Sequence, residues 1–269
     1  MNILDELAEH ARYRVAELKK NESLDYVKSK ALSLPKGMFE FEKAINKKND
    51  LAFICECKKA SPSKGIIAED FPYLKIAKEY EDAGADCISV LTEPKWFMGS
   101  DDYLYDISEN VSIPCLRKDF TVDEYMIYQA KCLGAKAILL ICSILDKNRL
   151  LEYIDICDSL GISALVEAHD DREIEMALDC KARIIGVNNR NLKDFSVDTN
   201  NSMKLRKLIP DDVIYVSESG IKDANDISLL RMTGVNAVLV GETLMKAKDK
   251  TIKLNELKGV TGLNLNGLN

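Results

Sequence analysis

LGAKAILLI, Leu133–Ile141, holds a change of structure in one short stretch. Gly134 stands where a helix is expected to stop, because glycine accepts the left-handed conformation that closes a helix C-terminus. The residues that follow are aliphatic without alternation, which suits a parallel strand covered on both faces. AGADCISVL (Ala83–Leu91) and TGVNAVLVG (Thr233–Gly241) repeat the same order, and DCKARIIGV (Asp179–Val187) is a version without the first glycine.

Working outward, the same kind of apolar run appears at Leu51–Cys57, Cys87–Leu91, Ile113–Arg117, Ala137–Cys142, Ala164–Ala168, Ile184–Val187, Val213–Ser217 and Ala237–Val240. Each is separated from the next by an amphipathic stretch long enough for one helix and two loops. Eight such units predict an α/β protein, a (β/α)8 TIM barrel. A doubly wound sheet would show a Gly-rich first turn or a switch-point signature, and neither is present. The first 50 residues read as mostly helical. LDELAEHARYRVAELKK carries Leu4, Leu7, Ala8, Ala11, Val15 and Leu18 at helical spacing, and a second short helix is expected near Phe39–Asn46. The expected organisation is an N-terminal helical extension over residues 1–50, a barrel over 51–250 and a C-terminal tail over 251–269, in which LKGVTGLNLNGLN (Leu257–Asn269) reads as a frayed end.

The composition narrows the function. Of 269 residues 46% are hydrophobic and 30% charged, with a formal net charge of −7. A negative chain without a dense basic run offers no general surface for nucleic acid or for anionic membranes. No apolar stretch approaches the length of a membrane span, and the first residues, MNILDELAEH, show no basic stretch before an apolar core, so no signal peptide is expected. The expectation is a soluble, cytoplasmic protein, a monomer or weak homodimer. The eight cysteines mostly lie in apolar runs and read as small core residues of a reduced protein. Cys55 and Cys57 form a C-x-C pair, but no second pair has zinc spacing, and His10 and His169 cannot build a multi-histidine site, so no metal is expected. His169 reads as a surface or core residue. Neither G-x-G-x-x-G nor a Walker A sequence occurs.

Polar residues collect where the apolar runs end, which in a barrel is where chemistry gathers. Glu56 and Lys58, Lys118 and Asp119, Glu167, Asn188 and Arg190, then Glu218, Ser219 and Gly220, and finally Gly241 occupy those positions. Glu56 and Lys58 are two apart, share a strand face, and would point inward while Cys55 and Cys57 point out. Three glutamates and three cations meeting at one mouth can neutralise one another and suit acid–base work. A lysine among cations there is expected to have a lowered pKa. Ser219–Gly220 and Gly241–Glu242 sit where barrels often bind phosphate, although the Glu242 carboxylate would have to turn away from an anion. Lys58–Asp70 reads as a substrate-covering loop, and Trp96–Phe97 could wall an apolar ligand.

ECKKASPSKG (Glu56–Gly65), LTEPKWFMGS (Leu91–Ser100), LRKDF (Leu116–Phe120), LVEAH (Leu165–His169), GVNNRNL (Gly186–Leu192), SESGI (Ser217–Ile221) and VGETLM (Val240–Met245) together resemble the indole-3-glycerol phosphate synthase family. The resemblance runs in order through nearly the whole chain. It implies an enzyme of tryptophan biosynthesis, a carboxy-lyase acting on 1-(2-carboxyphenylamino)-1-deoxyribulose 5-phosphate without a cofactor, with the N-terminal extension over the barrel mouth. It implies Lys118 as general acid, Glu167 as general base, and Lys58 as second acid or anchor of the leaving hydroxyl. Glu56 and Asn188 would hold substrate hydroxyls, and Glu218 would orient the lysines. Arg190 and Ser61 would lie near the carboxylate-bearing ring, with Phe97 and Leu192 lining its apolar pocket. Ser219, Gly220, Gly241 and Glu242 would surround the phosphate. The readings that compete with it are a Schiff-base aldolase using Lys118 and a non-catalytic sugar-phosphate-binding barrel.

Overall fold

The computed structural model describes residues 3–47, 50–190 and 196–260. Three helices come first: α1 (Ile3–Asn21), α2 (Leu24–Ser33) and α3 (Glu40–Ile45). Then β1 (Ala52–Cys57) is followed by a small hairpin, β2 (Ala60–Ser61) and β3 (Gly65–Ile66), and by α4 (Tyr73–Asp82). Strands and helices alternate thereafter: β4 (Cys87–Leu91), α5 (Asp101–Asn110), β5 (Cys115–Lys118), α6 (Glu124–Cys132), β6 (Ala137–Ile141), α7 (Lys147–Leu160), β7 (Ser163–Ala168) and α8 (Asp171–Asp179). The last are β8 (Ile184–Asn188), α9 (Asn200–Leu205), β9 (Ile214–Glu218), α10 (Ala224–Met232), β10 (Ala237–Val240), α11 (Glu242–Met245) and α12 (Lys250–Lys258).

The long strands close a parallel barrel in the order β1-β10-β9-β8-β7-β6-β5-β4. Each βα unit must bury one face of its helix and both faces of its strand, and closure achieves both while removing the sheet edges. The inward faces carry Ala52, Ile54, Leu116, Leu139, Leu165, Val216 and Leu239. The outward faces, with Cys55, Cys57, Ile88, Val166 and Tyr215, pack under the helices. Helix starts follow local chemistry. Ser100, Asp123, Asp146, Asp170, Asp223 and Asp249 each accept a main-chain N–H in the first turn of the helix they precede.

The N-terminal extension divides its work. α1 lies at the mouth, where Ile3 and Leu7 reach the central pocket. Arg14 of α1 reaches Asp119, just past β5, with Nη1–Oδ2 at 3.1 Å and Nη2–Oδ1 at 2.6 Å. α2 runs down the side against α6. α3 seals the opposite end: Phe41 and Ile45 are fully buried in the inner core, α3 lies against β1, β4 and β7, and Glu42 donates its N–H to Ser163 Oγ at the start of β7. Only part of the extension therefore covers the mouth.

Two expectations change. The tail set at 251–269 contains instead the helix α12, with Leu254 and Leu257 fully buried. Their i,i+3 spacing gives the apolar stripe that fills the gap between α4 and α10 and completes the helical ring. The Gly/Asn-rich composition just beyond it masks this stripe in the sequence, and residues 261–269 lie outside the described ones. The loop expected over 58–70 contains the β2–β3 hairpin, tied to the barrel by the Ala60 N–H to Phe97 C=O bond at 3.2 Å.

Candidate active site

Strand register brings the site together. Glu167 pairs with Gly186, Asn188 with Glu218, and Glu218 with Leu239 around one side of the barrel. On the other side Lys118 pairs with Leu91, and Glu56 with Ser89. These residues stand at about the same height, all at the C-terminal end of their strands, around a cavity of about 450 Å³. The cavity is lined by Glu56, Lys58, Ser61, Phe97, Lys118, Glu167, Asn188, Arg190, Glu218, Ser219, Gly220, Gly241 and Glu242, so every expected site residue within the described part of the chain reaches it. Leu192 lies outside the described residues.

Lys118 is central. Its Nζ is 3.3 Å from Glu167 Oε2 and 3.3 Å from Glu218 Oε2. The lowered pKa expected for it is corrected. Burial acts to lower it, but Glu218, Glu167 and Glu56 outweigh that and raise it above the ordinary lysine value. The residue types at the strand ends point to cations around Lys118, while the fold puts carboxylates next to it. Burial pushes Glu167 up, but Lys118, His169 and a hydrogen bond from Asn188 bring it below its ordinary value. Asn188 Oδ1 accepts the Arg190 N–H at 3.0 Å, which turns its amide nitrogen toward Glu167. Glu218 moves the other way, to about 7, because burial and the repulsion of Glu167 exceed the pull of Lys118. Its Oε1 is buried without a hydrogen-bond partner among the described residues. A barrel mouth thus holds one ionised carboxylate, one reluctant to ionise, and an ammonium between them.

Lys58, just past β1, stands 2.5 Å from Glu56 Oε1. Two glycines make this packing possible. A Cβ at Gly186 would run into the Glu218 carboxylate, and one at Gly241 would run into that of Glu56. Arg190 reaches Ser63 Oγ at 3.4 Å and Glu242 Oε2 at 3.7 Å, bridging the hairpin to the eighth βα turn. The Glu242 carboxylate is also held by Lys246 at 2.6 Å. Ser219 (φ 67°) and Gly220 (φ 85°) both take left-handed conformations, bending the loop after β9 into the cavity.

Some contributors were not anticipated. Glu93, fully buried, accepts the N–H groups of Lys95, Trp96 and Phe97 at 3.0, 2.7 and 3.0 Å and so places the aromatic wall. Phe97 packs near Phe120, ring centroids 6.0 Å apart. The signal was present as a glutamate at a strand end, but it serves the loop's own backbone. Lys64, Lys222 and Lys246 add cations to the rim. No helix of the described residues is long and apolar enough to cross a membrane.

Comparison with known proteins agrees with this geometry. Residues 4–257 match the family model for indole-3-glycerol phosphate synthase. The indole-3-glycerol phosphate synthase of Ruminiclostridium cellulolyticum is 57% identical over 258 residues, covering 96% of this chain and 99% of that one. The protein of the same name from Endomicrobium trichonymphae is 51% identical, covering 95% of this chain and 99% of its own. Among solved structures, 3-hexulose-6-phosphate synthase from Salmonella typhimurium superimposes with a TM-score of 0.65 at 14% identity, covering 78% of this chain and 98% of that one, a likeness of fold. With a family match along almost its whole described length and relatives at this identity, the chain belongs to the indole-3-glycerol phosphate synthase family.

Proposed function

We propose that the chain closes the indole ring of 1-(2-carboxyphenylamino)-1-deoxyribulose 5-phosphate, releasing carbon dioxide and water to give indole-3-glycerol phosphate, and that Lys118, Glu167 and Lys58 move the protons. The observation that carries the assignment of roles is the placement of Lys118 between two buried carboxylates at the floor of the cavity. Its ammonium is charged at neutral pH. As the aryl carbon attacks the ribulose carbonyl, the oxygen gains alkoxide character and becomes basic enough to take that proton. Loss of carbon dioxide then restores the aromatic ring, whose nitrogen supplies the electron density, so the protein mainly holds geometry and shuttles protons. Glu167, held ionised, accepts the proton lost in dehydration. Lys58 protonates or anchors the departing hydroxyl, with Glu56 and Asn188 on substrate hydroxyls. Glu218 orients Lys118.

The rim cations suit a substrate carrying both a phosphate and a carboxylate. The phosphate is assigned to the loop at Ser219 and Gly220 and to the turn at Gly241 and Glu242, where the backbone N–H of Glu242 serves. Ser61, Arg190, Phe97 and Leu192 are assigned to the carboxylate-bearing ring. A Schiff-base role would need an uncharged Lys118 amine, and the surrounding carboxylates favour the opposite state. We place the enzyme in the cytoplasm, as a monomer or weak homodimer. The test is a fluorescence assay for indole-3-glycerol phosphate with wild type, Lys118→Ala and Glu167→Gln. Wild type is expected to turn over and both variants to lose about two or more orders of magnitude in kcat. Wild-type-like turnover by both variants would remove the assignment of roles.

A further inference from the structure

His169 has no part in the chemistry above, yet it is built into the same wall. It directly follows β7, two residues beyond Glu167. Its Nε2 is buried, finds no hydrogen bond of ordinary geometry among the described residues, and stands 3.5 Å from Glu167 Oε1. Its Nδ1 lies 3.1 Å from Glu173 Oε2, which also accepts the His169 main-chain N–H at 2.8 Å. Glu173 is itself fixed: it sits in the first turn of α8, and its Oε1 accepts Ser143 Oγ at 2.5 Å. Asn201 of α9 donates to the His169 carbonyl at 3.2 Å. His169 is therefore held at its backbone and, through Nδ1, at its ring, with Nε2 turned to the carboxylate of Glu167.

An imidazole between two carboxylates can donate to both only as imidazolium, since the neutral ring has one N–H. Burial opposes that charge, but Glu173 and Glu167 outweigh it and raise the His169 pKa. The other titratable groups facing this pair are Lys118 from β5, Glu218 from β9 and the Cys142 thiol, which contacts the Glu173 carbonyl at 3.6 Å.

We propose that His169 is a positioning residue for the reaction: gripped by Glu173 through Nδ1, it fixes Oε1 of Glu167 and leaves Oε2, on the Lys118 side, to meet the substrate. This rests on Glu167 being the general base. The positive ring also keeps that base ionised to lower pH than Lys118 alone would.

The test is the pH profile of kcat by the fluorescence assay for His169→Asn and Glu173→Gln, with Glu167→Gln in parallel and circular dichroism to report folding. In His169→Asn the acid limb is expected to move upward by about one pH unit, since an adjacent opposite charge shifts a carboxyl by that order. That makes kcat about tenfold lower on the limb, with KM close to wild type. Glu173→Gln, which leaves His169 in place but weakens its charge, is expected to shift the limb in the same direction by less, and it carries the test alone if His169→Asn does not fold. An unmoved acid limb in the folded variants, or a loss of kcat accompanied by an equal rise in KM without a limb shift, overturns the inference. Near-wild-type turnover by Glu167→Gln would overturn the base assignment and this inference with it.

Discussion

Replacing Glu218 by glutamine separates the energetic cost of the site from its use. Glu218 is almost fully buried, its Oε1 has no hydrogen-bond partner among the described residues, and its pKa rises from 4.5 to about 7. A carboxyl whose folded pKa is raised is protonated in the folded state while already ionised in the unfolded one. The stability it contributes is present below pH 4.5 and is lost as the pH climbs through about 7. The size of that loss is the shift multiplied by the free energy per pKa unit, about 3 kcal/mol. Glutamine keeps the shape and never ionises. The stability difference between Glu218→Gln and wild type should therefore change by about 3 kcal/mol in the variant's favour from pH 4.5 to pH 8. Urea unfolding of both proteins across that range measures it, and the change of their difference with pH cancels the constant amount that the amide contributes on its own. At the same time kcat should fall, because Lys118 loses one of the two carboxylates that hold it. A difference between the two proteins that stays constant with pH would refute the reasoning, since Glu218 would then ionise as easily folded as unfolded.

Two further outcomes follow from other parts of the molecule. Arg14→Ala should cost about 3 kcal/mol in urea unfolding, because it strips the bidentate partner from the fully buried Asp119 and leaves Arg117 at 3.7 Å as the remaining cation. A change near zero would mean that α1 is not anchored there. Cys55, Cys57 and Cys157 should resist an aromatic disulfide reagent in the native state, since burial raises their thiols and holds back the thiolate, while the half-buried Cys132 should react first. Rapid native labelling of Cys55 or Cys57 would contradict their placement under the helices.

The parts of the fold that could be read from the chain are those with a local cause. Glycine after several of the helices and unbroken aliphatic runs mark βα units wherever they occur, so the strands were legible to within a residue or two. The helix α12 was not, because a Gly/Asn-rich neighbourhood obscured a stripe of only two leucines. Polar residues at strand ends marked the site, since burying a charge there makes sense only if partners converge. Glu93 and His169 occupy equally visible positions, but nothing local says that one caps its own loop and the other faces Glu167.

By itself, the order of residues determined the repeating unit, the barrel it closes into, and which side chains would gather at one rim. Those follow from periodicity and from strand direction, which are properties of neighbours along the chain. Tertiary structure alone decided the state of the gathered groups. Whether Lys118 is surrounded by cations or by carboxylates, and which of Glu167 and Glu218 stays ionised, depends on distances of a few ångströms between different strands. Electrostatic energy in a poorly solvated site varies steeply over such distances, and strand spacing along the sequence carries no record of them.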